Sequence, residues 1–193
     1  MPYLIGPVLP PGTLARTPQP SLPTGDGLVL RPFREADAPA VHAAFQDPLL
    51  QRWHARTADS EDEVRGWLGE WIAGWGEESI AQWAVVDTGT GVLLGRAALR
   101  EVRLDEGSAE MAYWTVPAAR GQGIAARATT ALARWALDDI GFHRLELQHA
   151  VGNDSSCRVA VKAGFTLEGT KRSAVLHGDG WHDMHLHARI HGD

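Results

Sequence analysis

Between Val64 and Trp75 the apolar residues Val64, Trp67, Leu68, Trp71, Ile72 and Trp75 recur every three or four positions. That interval places side chains on one face of an α-helix, so the segment is predicted to bury a stripe of tryptophans. Ser60-Glu61-Asp62-Glu63 in front of it forms a capping box, with Ser60 capping the Glu63 amide and Glu63 reaching back. Ala36, Ala40, Val41, Ala44 and Phe45 share helical spacing over Glu35 to Phe45, and Asp47-Pro48 is read as the stop. The remaining apolar runs are short and bounded by turn residues. Leu28 to Arg31 is the first strand, and Gln82–Asp87 and Val92–Glu101 are joined by Thr88-Gly89-Thr90-Gly91. With Ala109–Val116 they make an antiparallel meander. A helix over 122–138 leads to a strand over 144–150, and that crossover implies parallel pairing with the strand before it. A helix over 155–163 ends at Gly164, and strands 165–176 and 182–190 close the chain as a hairpin through Gly178-Asp179-Gly180. The expected fold is α/β in the α+β sense, with about seven strands in a mixed, mostly antiparallel sheet and about four helices.

One loop in this frame has a chemical composition of its own. Arg120-Gly121-Gln122-Gly123-Ile124-Ala125 lies between the strand that ends at Val116 and an alanine-rich helix. Two glycines remove the Cβ atoms that would hold a ligand off the backbone, the helix dipole adds partial positive charge, and Arg120 adds a full charge. Such a loop suits a phosphate or pyrophosphate; it also reads as a glycine-rich turn without a ligand. No Walker string occurs. Gly121-Gln122-Gly123-Ile124-Ala125-Ala126 fits the loose dinucleotide pattern, yet several strands precede it without intervening helices, and Glu146 lies inside the next strand rather than at its end.

Composition narrows the classes. The 193 residues are 44% hydrophobic and carry a net charge of −6, which suits one domain and disfavours nonspecific binding to nucleic acid or anionic membranes. One cysteine excludes an intrachain disulfide, and the sequence has neither a membrane-spanning apolar run nor a secretory signal pattern, so a cytoplasmic location is expected. Residues 1–26 contain seven of the eleven prolines and read as an extended or disordered arm ahead of a domain over 27–193.

The loop and a second segment together resemble a known family. Arg120 to Ala125 is similar to the Arg/Gln-x-x-Gly-x-Gly/Ala signature of the GNAT acyl-CoA N-acyltransferases, and Asn153-Asp154-Ser155-Ser156-Cys157-Arg158-Val159-Ala160-Val161-Lys162-Ala163-Gly164-Phe165 resembles the Asn-x-x-Ser…Lys-x-Gly-Phe segment of one branch. That branch includes the enzymes that acetylate the N-terminal alanine of ribosomal proteins. Leu30-Arg31-Pro32-Phe33, Leu167-Glu168-Gly169 and the late Gly-Asp-Gly-Trp-His-Asp fit it too, so the resemblance spans roughly 27–190.

The resemblance implies a GNAT fold whose central parallel strands splay apart, acetyl-CoA as co-substrate, and a primary amine as acceptor, attacked directly in a ternary complex. It implies a cofactor site from Trp114, Thr115, Val116, Arg120, Gly121, Gln122, Gly123, Ile124, Ala125, Asn153, Ser156 and Lys162, with an oxyanion donor among the amides near Trp114 to Val116. Ser156 is the acid candidate, Tyr113 the alternative acid or a pocket wall, and Glu110 either the base through a water or a strand-pairing glutamate. Trp53, read as lying in a loop, is a substrate-side candidate with Tyr113. Ser155 or Ser156 can alternatively cap the helix. Cys157 lacks a patterned histidine base and is read as a packed residue. His182, His185, His187 and His191 invite a metal, with His185 and His187 on one strand face, but no cysteine joins them and the family hairpin binds none, so no metal is expected. Ser173-Ala174-Val175-Leu176 lacks the glutamate that some ribosomal-protein acetylating members carry there. The acceptor is therefore open between a peptide N-terminal α-amine and a small amine, and a noncatalytic acyl-CoA-binding module or a dinucleotide-binding protein stand as competitors. The partners expected are acetyl-CoA and the acceptor, with no nucleic acid or membrane, in a monomer or homodimer.

Overall fold

The structure is a computed structural model and describes residues 4–193; the first three residues of the proline-rich arm lie outside the described residues. Among the described residues, eight strands form one sheet in the order β1-β2-β3-β4-β5-β6-β8-β7: β1 Leu22–Pro23, β2 Leu28–Pro32, β3 Ala81–Asp87, β4 Leu93–Arg103, β5 Ser108–Thr115, β6 Arg144–Ala150, β7 Thr166–His177 and β8 Gly180–Ile190. Every pairing is antiparallel except β5 with β6. The strand beyond the expected seven comes from the arm, where Leu22 pairs with Leu30.

Five α-helices lie among the described residues: α1 Ala38–Ala44, α2 Pro48–His54, α3 Glu61–Gly76, α4 Ile124–Arg134 and α5 Asp154–Lys162. The helix absent from the sequence reading is α2. Asp47-Pro48 does end the preceding helical stretch, but it also opens a new one: the Asp47 carboxylate accepts from the Leu50 amide at 2.9 Å, and Pro48 occupies the first turn, where its missing N–H costs nothing. Trp53 therefore sits on a helix and not in a loop. α4 runs into a π-helical turn, Trp135–Ile140, closed by Gly141 at φ 93°.

Two apolar cores flank the sheet. One packs Phe33, Phe45, Trp67, Trp71 and Trp114 under α1 and α3. The other joins α4 to β3, β4 and β5 around Trp75, Trp83 and Trp135, whose rings meet at 5.3 to 6.2 Å. The stripe on α3 thus divides between two cores, and Ile72 drops out of it, half-exposed. Ser60 Oγ accepts from the Glu63 amide at 3.1 Å, while the Glu63 carboxylate reaches one residue further back, to the Asp59 amide.

The arm lies along the second core. Leu14 is 1% exposed, and the Trp75 and Trp83 indoles donate to the Thr17 and Pro20 carbonyls at 2.8 Å. The Glu78 carboxylate accepts from the amides of Gly12, Leu14 and Ala15. Burial alone would raise its pKa, but those amides outweigh it and hold the group below the usual carboxylate range.

The feature that creates the site is a partial ladder. β5 and β6 pair from Ser108↔Arg144 to Met111↔Leu147 and no further. Beyond that point Ala112–Thr115 pairs only outward with β4, and Gln148–Ala150 only outward with β8. The sheet opens from within.

Candidate active site

The opening is a cleft of about 650 Å³. Its floor is β5, whose peptide edges alternate in direction. Val116 N donates to Leu94 O at 3.0 Å, so Trp114, two residues earlier on the same edge, also faces β4. The amides that face the gap are those of Tyr113 and Thr115. Val116 does not line the cleft, whereas Trp114 and Thr115 do.

One wall is the glycine loop. Gly121 and Gly123 both adopt φ 75°, a left-handed conformation that glycine takes without strain, and open space surrounds the position where a Cβ would stand. Gly123 is the N-cap of α4, so the first-turn amides of that helix have no partner inside it. Gly121, Gly123, Ile124 and Ala125 line the cleft. Gln122 does not: its amide turns back to the Ala118 carbonyl at 2.8 Å and closes the loop on itself. Arg120 lines the cleft but is ion-paired with Asp47, tying the loop to the start of α2; this hydrogen bond is the main reason the Asp47 pKa is low. The loop is not embedded in an alternating βαβ sheet, the context that a dinucleotide site requires.

The opposite wall is the start of α5. Its cap is Asn153, not either serine: Asn153 Oδ1 accepts from the Ser156 amide at 3.1 Å and from the Ser155 hydroxyl at 2.7 Å. That leaves the Ser156 side chain, 9% exposed, to meet Tyr113, and the two hydroxyl oxygens lie 2.5 Å apart. Burial pushes the Tyr113 pKa up to about 12, with the Ser156 hydrogen bond opposing it. The two candidate acids therefore form one hydroxyl pair. Lys162 lies at the exposed rim.

Glu110 sits one step outside. It is 6% exposed and does not line the cleft. Its Oε1 accepts from Arg100 at 2.6 Å, and Oε2 is 3.5 Å from Gln148 Nε2; Arg100 and Gln148 are the lining residues.

At the far end of the cleft, Trp53, the substrate-side candidate, is joined by residues that sequence reasoning missed. Arg96 projects from β4 with its guanidinium 5.3 Å from the Trp71 ring and, among the described residues, no carboxylate partner, and its Nε is buried without a hydrogen bond. Burial, then the charges of Arg100 and Arg56, push its pKa down to about 9. His54, at the end of α2, is driven to about 3, first by burial and then by Arg96 and Arg100. Trp53 beside it makes edge contacts with His177 and His182, at 6.0 and 6.2 Å. The only local sign of this grouping was arginine at the fourth position of β4, within a stretch, Leu93 to Leu99, of otherwise apolar residues and glycine.

Comparison with known proteins agrees with this geometry. The acetyltransferase (GNAT) domain family matches residues 27–166. A ribosomal-protein-serine acetyltransferase of Escherichia coli is 32% identical over 98 residues, a span of 51% of this chain and only 55% of that relative. A provisionally named ribosomal N-acetyltransferase of Bacillus subtilis is 30% identical over 149 residues, 77% of this chain and 70% of its own. Among solved structures, a ribosomal L7/L12 α-N-protein acetyltransferase in complex with coenzyme A superposes with a TM-score of 0.80 at 23% identity, covering 89% of this chain and 98% of that one.

Proposed function

Because the chain belongs to the GNAT acetyltransferase family, enzymes for which acetyl-CoA is the co-substrate, we propose that it transfers the acetyl group to the free α-amine of a peptide or protein N-terminus by direct attack in a ternary complex. The observation that carries the reading is the meeting of three groups in one cleft: the glycine loop, the Ser156–Tyr113 hydroxyl pair, and a cationic far end with no acidic counterpart on Arg96.

The roles follow from position. The first-turn amides of α4 with those of Gly121 and Gly123 receive the pyrophosphate, and the gap-facing edge of β5 pairs with the amides of the pantetheine arm as an added strand would. Asn153, at the turn into α5, presents its side-chain amide to the same arm. The thioester carbonyl then lies against the Thr115 or Tyr113 amide, fixed donors for the oxyanion that forms as the amine attacks. When the C–S bond breaks, the thiolate takes a hydrogen bond from the hydroxyl pair. Tyr113 keeps its proton at every working pH, so it supplies a standing donor.

The acceptor must lose one proton. Glu110 is the base through an ordered water: Oε1 is held by Arg100, and Oε2, with only a long contact to Gln148, is the oxygen free to accept. The cationic far end lightens that task. Arg96 and Arg100 disfavour an ammonium beside them and so lower the acceptor pKa. An α-amine starts near 7.7–8 and is roughly one-tenth neutral at pH 7, whereas a lysine amine near 10.4 is neutral in only a few parts in ten thousand. The same arginines suit an acceptor with a carboxylate close to its amine. The E. coli relative is named for a ribosomal protein, but Ser173-Ala174-Val175-Leu176 offers no carboxylate and Val175 lines the cleft, so a ribosomal acceptor is not part of the proposal.

Mass spectrometry of paired peptides tests it: one with a free N-terminus and no lysine, one blocked at the N-terminus and carrying lysine. Faster acetylation of the first is expected. Modification mainly on lysine overturns the α-amine preference, and no reaction with either peptide, while a small amine reacts, overturns the peptide acceptor. Glu110→Gln is expected to reduce the rate most at low pH; an unchanged profile from pH 6 to 9 removes Glu110 from the proton path.

A further inference from the structure

Behind the α5 wall the fold assembles a group of side chains that the acetyl transfer does not use. His185 and His187 share one face of β8 two residues apart, His149 on β6 is the register partner of His185, and α5 lays Cys157 over the same face. Of the histidines read as joined by no cysteine, His185 and His187 do meet one: one ligand atom from each of His149, Cys157, His185 and His187 lies within 4.8 Å of all the others. Only His149 also borders the cleft.

The hydrogen bonding of the rings leaves buried nitrogens without partners. His149 Nδ1 lies 2.9 Å from the Ala150 carbonyl and must donate to it, which leaves Nε2 of the neutral ring as a bare lone pair. That lone pair faces His187 Nε2 at 3.1 Å, with His149 and His187 only 4% and 1% exposed. If His187 donates from Nε2, its Nδ1 is left as a buried lone pair; if it carries the proton on Nδ1, two lone pairs oppose each other. His185 Nδ1 and His187 Nδ1 are both buried without a hydrogen-bond partner. A metal ion takes one lone pair from each ring and removes the opposition of His149 Nε2 and His187 Nε2.

We propose that His149, His185, His187 and Cys157 form a zinc site that ties the first turn of α5 to β6 and β8. Three imidazoles and a thiolate are a borderline-soft, four-ligand set of the kind that holds structural zinc tetrahedrally. Closing the group around an ion requires its outermost ligand atoms to draw in by about an ångström, since tetrahedral ligand atoms at 2.0–2.3 Å from zinc stand about 3.3–3.8 Å apart. The Cys157 thiol gives up its proton on binding, and the Ala150 carbonyl already orients His149 as an outer partner of a metal-bound imidazole would. Cys157 is the residue after Ser156, so the ion fixes the turn that presents the Ser156 hydroxyl.

The test uses the full chain with zinc chloride. Elemental analysis after dialysis against zinc-free buffer is expected to find one zinc per chain, and zinc is expected to raise the melting temperature. Cys157→Ser and His185→Gln, at half-buried positions, are expected to weaken zinc binding by at least roughly tenfold while circular dichroism stays native. In the cobalt-loaded protein, thiolate-to-cobalt absorption is expected and is lost in Cys157→Ser. Failure to retain stoichiometric zinc, or an affinity unchanged in both folded variants, overturns the site.

Discussion

The half of the cleft proposed for the cofactor presents main chain: the loop from Gly121 to Gly123, the first turn of α4, and the gap-facing edge of β5. The half proposed for the acceptor is lined by side chains from separate elements: Trp53 and His54 on α2, Arg96 and Arg100 on β4, His177 at the end of β7. Main-chain donors are the same whatever the side chains, so that half is suited to one invariant ligand. Side chains gathered from distant parts of the chain can each be exchanged, so the other half can change its partner without disturbing the first. The cofactor half is a geometry; the acceptor half is an electrostatic environment.

The largest expected effect breaks the first half alone. Gly123→Trp should fill the open space beside the loop and lower acetyl-CoA affinity at least about a hundredfold by calorimetric titration, since several charge-assisted hydrogen bonds worth about 1.5–3 kcal/mol each depend on close approach. Its left-handed φ of 75° adds strain of about 1–2 kcal/mol, which the fold should survive. Unchanged affinity in a folded variant would remove the loop from the site.

Ser156→Ala acts on the seam between the halves. The turnover rate should fall by roughly a hundredfold with acetyl-CoA affinity nearly intact, because the hydroxyl acts only as the thiolate leaves. Tyr113→Phe should give a similar loss, and the double variant little more, if the two hydroxyls work as one donor. Additive losses would show that they act separately.

The acceptor half reports itself through pH. His54 titrates at 6.5 when unfolded and at about 3 when folded. Between those values the unfolded chain binds a proton that the folded protein does not, so the stabilisation present above pH 6.5 is lost as pH falls, by about 1.4 kcal/mol per pH unit at most. Urea unfolding from pH 7.5 to 4.5 should show that slope, and His54→Gln should flatten it. An identical slope in the variant would assign the acid sensitivity elsewhere.

The smallest effect joins the two halves. Arg120→Ala removes the tie to Asp47 as well as a cation near the loop, and should weaken acetyl-CoA binding by less than about tenfold, because a guanidinium in partial contact with solvent is screened. A loss as large as that in Gly123→Trp would mean that the charge, not the main chain, holds the cofactor.

The same contrast governs what could be read from the sequence. The loop was legible because its chemistry is local: two glycines and a helix start within six residues. The meander, the crossover and the hairpin were legible from alternation and turn residues. Asp47-Pro48 misled because an Asp-Pro pair after one helix is also the cap and first turn of another, which hid α2 and moved Trp53 onto it. Trp114 and Val116 stand on the wrong edge of β5 for a free amide, a matter of one residue in register that no composition reveals. Arg96 and His54 were silent because their properties arise from burial beside each other across more than forty residues. Cys157 and the histidines were each visible, but only the register of β6 on β8 brings them together.

The early end of the β5–β6 ladder has a consequence for the life of the protein between reactions. Exposed strand edges ordinarily recruit other chains and lead to aggregation. Here the unpaired edges lie inside the sheet, between the glycine loop and α5, each already paired on its other side with β4 or β8. The protein thus keeps its sticky template inside a cleft whose lining also carries Arg120, Arg158 and Lys162, instead of at an outer edge of the sheet.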